Sequence, residues 1–90
     1  MELHEPDARP GIRILLFSVL KEKVGAGVLT FPLETPATGR ELLDALASVY
    51  PVLRPYRQVI RLAVNEAYVD EGVSLEQGDE VALITPVSGG

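Results

Sequence analysis

Apolar and polar positions alternate from the first strong hydrophobic run. Across residues 12–19 (IRILLFSV), Ile12, Ile14 and Leu16 fall on one side and Arg13, Leu15 and Phe17 on the other. That is the period-two signature of a strand. The side carrying Arg13 is the outer one, so Phe17 is expected to point away from the core. Residues 21–27 (KEKVGAG) read as a charged, glycine-containing turn, and residues 28–33 (VLTFPL) as a second strand with Leu29, Phe31 and Leu33 inward. Pro32 has no N–H for a ladder, so this strand should lie at a sheet edge or end there. The short connection predicts a hairpin between the first two strands.

The period then changes. Thr38 and Glu41 have the spacing of a capping box, in which hydroxyl and carboxylate each satisfy a backbone donor. Leu42, Leu43, Leu46, Val49 and Tyr50 follow as one apolar stripe, with Glu41, Asp44 and Ser48 off it, which predicts a helix that Pro51 ends. Residues 52–58 read as a crossover loop with a turn around Pro55. Residues 59–65 (VIRLAVN) form a third strand with Ile60, Leu62 and Val64 inward and Arg61, Ala63 and Asn65 outward. A turn at residues 65–68 leads to a brief pairing at Tyr68 and Val69. A second turn at residues 75–79 uses Gly78 for a positive φ and Asp79 for a side-chain bond to backbone. Residues 80–85 make the last strand, with Val81 and Leu83 inward and Glu80, Ala82 and Ile84 outward. Two hairpin-like halves around one main helix describe an α+β fold, a mixed sheet packed on that helix, in the layout of a β-grasp or ubiquitin-like roll.

Two features stand outside that scaffold. Phe17 and Ile84 share the outer face and Tyr68 sits in a nearby turn, so three large apolar groups are candidates for a docking patch. Scattered surface hydrophobes are the plainer reading. The second feature is the tail: the final strand passes through Pro86 to Val87, Ser88, Gly89 and Gly90. Glycine at both last positions suits entry into a narrow channel, because no Cβ obstructs it and the backbone is unrestricted. Pro86 stiffens the base of that tail.

The 90 residues are enough for one domain, read as a flexible leader over residues 1–11 and a folded unit over residues 12–90. With 47% hydrophobic and 23% charged residues the chain is of globular and not disordered type. No cysteine is present, so disulfides, thiolate metal sites and a cysteine nucleophile are excluded. His4 is the sole histidine and lies in the leader, where it reads as solvated surface; no metal site and no bound cofactor are expected. A net charge of −5 with scattered basic residues argues against nucleic acid as a partner. No run approaches the ~20 apolar residues of a membrane span and no signal sequence is evident, so the expected location is cytoplasmic, with no membrane partner. Carboxylate pairs such as Asp79 and Glu80 lie in turns and read as solvated turn residues rather than an acid–base pair.

That elimination leaves the terminal carboxylate as the candidate reactive group. A carboxylate resists attack until one oxygen becomes part of a leaving group, which adenylation achieves. A sulfur nucleophile can then capture the acyl group as a thiocarboxylate. Ordering a threaded tail costs about 1–2 kcal/mol per residue, so a docking patch elsewhere must offset it.

The segments IRILLFSVLKEKVG, TGRELLDALASVYP, RLAVNEAYVDEGVSLEQGDEVALI and PVSGG, taken together, resemble the small, sulfur-carrying subunits of molybdopterin synthase (MoaD-like proteins) over about residues 12–90. Thr85 departs from the second proline more usual in that family. The resemblance implies a β-grasp carrier whose Gly90 carries the glycyl adenylate and then the thiocarboxylate. Its partners would be an E1-like adenylating enzyme, a persulfide sulfur donor and the large synthase subunit, in a heterotetramer. Pro86, Val87, Ser88 and Gly89 would thread the large subunit's pocket, where the catalytic groups lie. The loaded tail would give sulfur to a pyranopterin precursor in molybdenum cofactor biosynthesis. Phe17, Tyr68 and Ile84 would match the family's apolar docking surface. A carrier for another pathway, such as thiamine thiazole formation, would use the same terminus. A protein-conjugating modifier, or a plain β-grasp interaction module with an inert tail, is the alternative from a different class.

Overall fold

The computed structural model describes residues 11–86, within which the chain runs through seven strands, two α-helices and one 3-10 helix. Strand β1 is Ile12–Leu16, helix α1 Ser18–Val24, β2 Val28–Phe31, β3 Ala37–Thr38 and helix α2 Gly39–Val49. The 3-10 helix Pro51–Tyr56 follows, then β4 Arg61–Val64, β5 Ala67–Val69, β6 Ser74–Leu75 and β7 Glu80–Ile84. The main sheet has the order β2-β1-β7-β4-β5. Its central pair, β1 and β7, is parallel, and every other neighbour is antiparallel. A mixed sheet with one main helix is the expected β-grasp layout.

The inward parity holds in both central strands. Ile12, Ile14 and Leu16 from β1 and Val81 and Leu83 from β7 are buried, and form one cluster with Leu42, Leu43 and Leu46 of α2. Leu62 and Ile60 join them from the third predicted strand. Burying such side chains is worth about 1.5–3 kcal/mol each relative to exposure, so alternating residues on two neighbouring strands are enough to fix the sheet's orientation.

Several boundaries differ from expectation. The first strand stops at Leu16, and the segment expected to be strand end and turn is helix α1. Leu20 and Val24, four residues apart, place their side chains on the core, Lys21 and Lys23 lie in the last turn, and Gly25 at φ 91 ends the helix in the left-handed region. The β1–β2 pairing is antiparallel as expected, but it is joined through this helix and not by a hairpin turn. Strand β2 ends at Phe31, at an edge, consistent with Pro32 as a stop. Val49, assigned to the buried stripe of α2, is 59% exposed, because the helix ends there and the chain turns into the 3-10 helix. That helix replaces the expected crossover loop and buries Leu53. The third strand is shorter than residues 59–65, and the last ends at Ile84. The small β3–β6 sheet was not expected, since two-residue strands carry no periodic signal.

The start of α2 is held by its capping box. The Thr38 N–H donates to Glu41 Oε1 at 2.8 Å and the Glu41 N–H to Thr38 Oγ1 at 3.1 Å. The loop after β5 supplies acceptors for neighbouring donors: Gly39 N–H reaches the Val73 carbonyl at 3.0 Å and Arg40 N–H the Glu71 carbonyl at 2.9 Å. Arg57 closes the same junction, donating to both oxygens of Glu71 at 3.0 and 3.1 Å and to Asp44 at 3.0 Å. The Glu71 hydrogen bonds hold the Arg57 guanidinium above its ordinary range, with partial burial opposing and Asp44 adding to the shift. Thr38→Ala is expected to lower stability by about 1 kcal/mol through loss of the cap, read as a lower denaturation midpoint at unchanged slope.

Candidate functional site

The site is built on the sheet face opposite α2. Strand register places Val28, Leu15, Ala82, Ala63 and Tyr68 side by side, one from each strand of the sheet in order. All five have outward parity, so an apolar row crosses the whole sheet. Ala63 and Ala82 are its floor: Ala63 is only 7% exposed, although its side chain points away from the core. Parity alone marked Ala63 as outward; burial comes from the larger neighbours around it.

Phe17, just past the end of β1, and Ile84, the last residue of β7, lie two residues beyond Leu15 and Ala82 and extend the row into a patch. Phe17 is 49% and Tyr68 71% exposed, while Ile84 is half-buried. Phe17, Tyr68 and Ile84 all line one depression of about 310 Å³, floored by Leu15, Ala63 and Ala82. The three residues singled out in the sequence are therefore brought to one place. Phe17 holds its position because it is the residue on which β1 turns into α1, its carbonyl accepting from the Leu20 N–H at 3.0 Å. Tyr68 is carried by the hairpin between β4 and β5. That hairpin turns through Asn65 and Glu66 at φ 49 and 75, the mirror-image turn whose twist suits a two-residue connection.

Tyr68 and Ile84 also line a second, larger cavity of about 840 Å³, together with Arg61, Val59 and Pro86. The apolar patch and the base of the tail thus share two residues. Val87, Ser88, Gly89 and Gly90 lie outside the described residues, as does the leader over residues 1–10. Gly11, read with that leader, donates its N–H to Gln77 Oε1 at 2.7 Å, and Gln77 in turn donates to the Leu33 carbonyl and Thr35 hydroxyl.

Two carboxylates, Glu66 and Glu80, also line the depression. Glu80 pairs with Arg13 at 3.1 Å across β1 and β7. Such an exposed pair contributes about 0–1 kcal/mol, so it serves as a rim and not an anchor. Asn65 accepts from the Glu80 N–H at 3.1 Å and donates to Asp79 at 3.3 Å, tying the hairpin turn to the start of β7. Among the described residues no group of three or more His, Asp or Glu side chains is placed to hold a metal ion, and no helix is long and apolar enough to cross a membrane. What the arrangement can do chemically is bind: it offers apolar area beside the point where the chain leaves the sheet. The residues sequence parity undervalued are the floor and rim, Leu15, Ala63 and Arg61. Their outward positions were legible, and their adjacency required the strand register.

Comparison with known proteins agrees with this layout. The model of the ThiS family matches residues 14–90. A molybdopterin synthase sulfur carrier subunit of Arabidopsis thaliana is 35% identical over 79 residues, covering 88% of this chain and 82% of that protein. The protein of the same name in Dictyostelium discoideum is 37% identical over 82 residues, covering 87% of this chain and 94% of its own. Among solved structures, SAMP1 from Haloferax volcanii superposes with a TM-score of 0.78 at 30% identity, covering 89% of this chain and 99% of that one. The fold is therefore the ubiquitin-like β-grasp, and by both the family match and the identity to these carrier subunits the chain belongs to the ThiS family.

Proposed function

We propose that this chain is the sulfur carrier subunit of a molybdopterin synthase, working through its terminal glycine. The observation that carries this reading is the 33–37% identity to molybdopterin synthase sulfur carrier subunits over most of the chain. The geometry supports it. Strand β7 places Leu83 in the core, Ile84 in the apolar patch and Pro86 at the base of the tail within four residues. A partner seated on the patch is thereby next to the segment it must thread.

In this role the Gly90 carboxylate attacks the α-phosphorus of ATP, pyrophosphate leaves, and the glycyl adenylate forms on an E1-like enzyme. The terminal sulfur of a persulfide partner displaces AMP, and a thiol cleaves the sulfur–sulfur bond to leave the thiocarboxylate. The loaded tail enters the large synthase subunit, whose side chains supply the catalysis, and yields its sulfur to the pyranopterin precursor. Cytoplasmic residence and the heterotetramer belong to the same proposal. The described residues of this chain contribute docking and delivery.

A second reading has one observation in its favour. The Haloferax volcanii small archaeal modifier protein 1 superposes with a TM-score of 0.76 at 27% identity. A modifier would join the same carboxylate to amines of other proteins. Intact mass of the chain from cells making the cofactor separates the two. A sulfur-for-oxygen exchange at the terminus, with cofactor synthesis restored by the thiocarboxylate form and a large subunit, supports the carrier. A tail that stays a plain carboxylate while the machinery is active, or that is recovered only in amide linkage to other proteins, overturns it.

The patch has its own test. Phe17→Arg is expected to weaken binding to the large subunit by about tenfold or more, since it puts a charge among groups that docking desolvates. The thermal midpoint should barely move, because Phe17 is half exposed. Unchanged affinity would show that docking does not use this face.

A further inference from the structure

The outer face has a direction as well as an apolar centre. Arg61 opens β4 opposite Ile84 of β7, and its parity puts it on the same face as Ala63. It is exposed and lines the cavity shared by Tyr68, Ile84 and Pro86. The two carboxylates that line the same cavity, Asp70 and Glu71, are already engaged. Glu71 accepts from both terminal nitrogens of Arg57, and Asp70 accepts from the Gly72 N–H at 3.0 Å. Among the described residues Arg61 takes part in no ion pair. Past the other end of that strand, in the turn to β5, Glu66 lines the apolar depression, exposed and likewise outside those pairs, whereas Glu80 on the same depression is answered by Arg13. Arg61 and Glu66 are separated by the strand from Arg61 to Val64, about 10 Å at ~3.3 Å per residue, with Ala63 and its apolar neighbours along it.

Neither charge costs anything while the face is in water. Once the patch is covered, a charge at its edge loses hydration and must find an opposite partner, or it weakens the complex. We infer that Arg61 sets the direction in which the tail-receiving partner docks: that partner meets Arg61 with a carboxylate, Glu66 with a basic side chain, and the alanine-floored patch with an apolar one. The inference rests on the proposed carrier role and adds a specificity residue to it. Because the chain's net charge is −5, long-range attraction favours basic surfaces in general. Arg61 works against that tendency at the tail end alone. A uniformly basic surface, or the correct surface turned around, brings cation to cation beside Pro86. Arginine suits the task because its planar fork meets a carboxylate through two parallel hydrogen bonds.

The test uses the full chain and the large synthase subunit, measuring affinity at low and high salt for Arg61→Glu, Arg61→Lys, Glu66→Lys and Phe17→Arg. Arg61→Glu is expected to weaken binding about tenfold or more at low salt, with a smaller loss at high salt and no change in thermal midpoint. Arg61→Lys should recover most of that loss, and Glu66→Lys should weaken binding in the same salt-dependent way. If Phe17→Arg weakens binding while Arg61→Glu leaves it unchanged or tightens it, the directional role of Arg61 is overturned and the patch stands. If Phe17→Arg also has no effect, the docking face itself is wrong.

Discussion

Removing Gly90, or adding a single residue after it, is expected to abolish sulfur transfer while leaving the fold and the affinity of the docking face nearly intact. Among the described residues the last strand ends at Ile84, and the buried cluster draws nothing from beyond Leu83. Stability should therefore stay within about 0.5 kcal/mol of the parent, as for other changes remote from packed groups. Chemistry at the terminus behaves differently. In the proposed carrier role the acyl carbon that accepts sulfur is that of Gly90, and its position relative to the patch is set by the number of residues after Pro86. A shift of one residue displaces that carbon by about 3.3–3.6 Å, far more than the ~1 Å that can already cost a hundredfold in a positioned reaction. The check is precursor conversion in a reconstituted synthase, alongside thermal unfolding and partner affinity. Normal conversion by either variant would overturn the carrier mechanism.

Leu83→Ala should have the opposite signature. Leu83 is fully buried and lies in register with Leu16 of β1 on one side and Leu62 of β4 on the other. Its truncation removes side-chain contacts at the centre of the sheet and is expected to cost about 2–5 kcal/mol. For a domain of this size that is a large part of a total stability of about 5–15 kcal/mol. Denaturant titration should show a lower midpoint with little change in slope. The fraction that stays folded should still bind the partner, because the proposed docking face is the other side of the strand. A variant as stable as the parent would contradict the assignment of Leu83 to the core. Adjacent residues of β7 thus separate into one that holds the sheet and one, Ile84, that faces the proposed docking patch.

Much of this division was legible in the residues. Alternation in residues 12–16 and 80–84 identifies which side chains are buried, because a strand that packs on one face leaves little choice of parity. The Thr38–Glu41 spacing marks the start of α2, and Gly78 at φ 88 turns the chain into β7, as its sequence neighbourhood implied. Helix α1 was missed where two periods overlap. Residues 12–19 continue to read as alternating while Leu20 and Val24 already follow helical spacing, and only packing of Leu20 against the core decides between them. Val49 fell on the helical stripe, but a stripe does not say how far the neighbouring layer extends. The 3-10 segment and the β3–β6 pair are too short and too dependent on distant partners to announce themselves.

By itself the sequence determined the faces of the strands, the main helix, the missing chemistry of cysteine and the tail as the reactive candidate, since each follows from local periodicity or from residue type. The tertiary structure alone decided what lies beside what. Parallel pairing of β1 with β7, and the register of β7 against β4, place Phe17, Tyr68 and Ile84 in one depression and Arg61 beside Pro86. Those neighbours come from segments up to 67 residues apart, from Phe17 to Ile84. No local pattern encodes such a separation; it is set when several buried faces must close on one core at once.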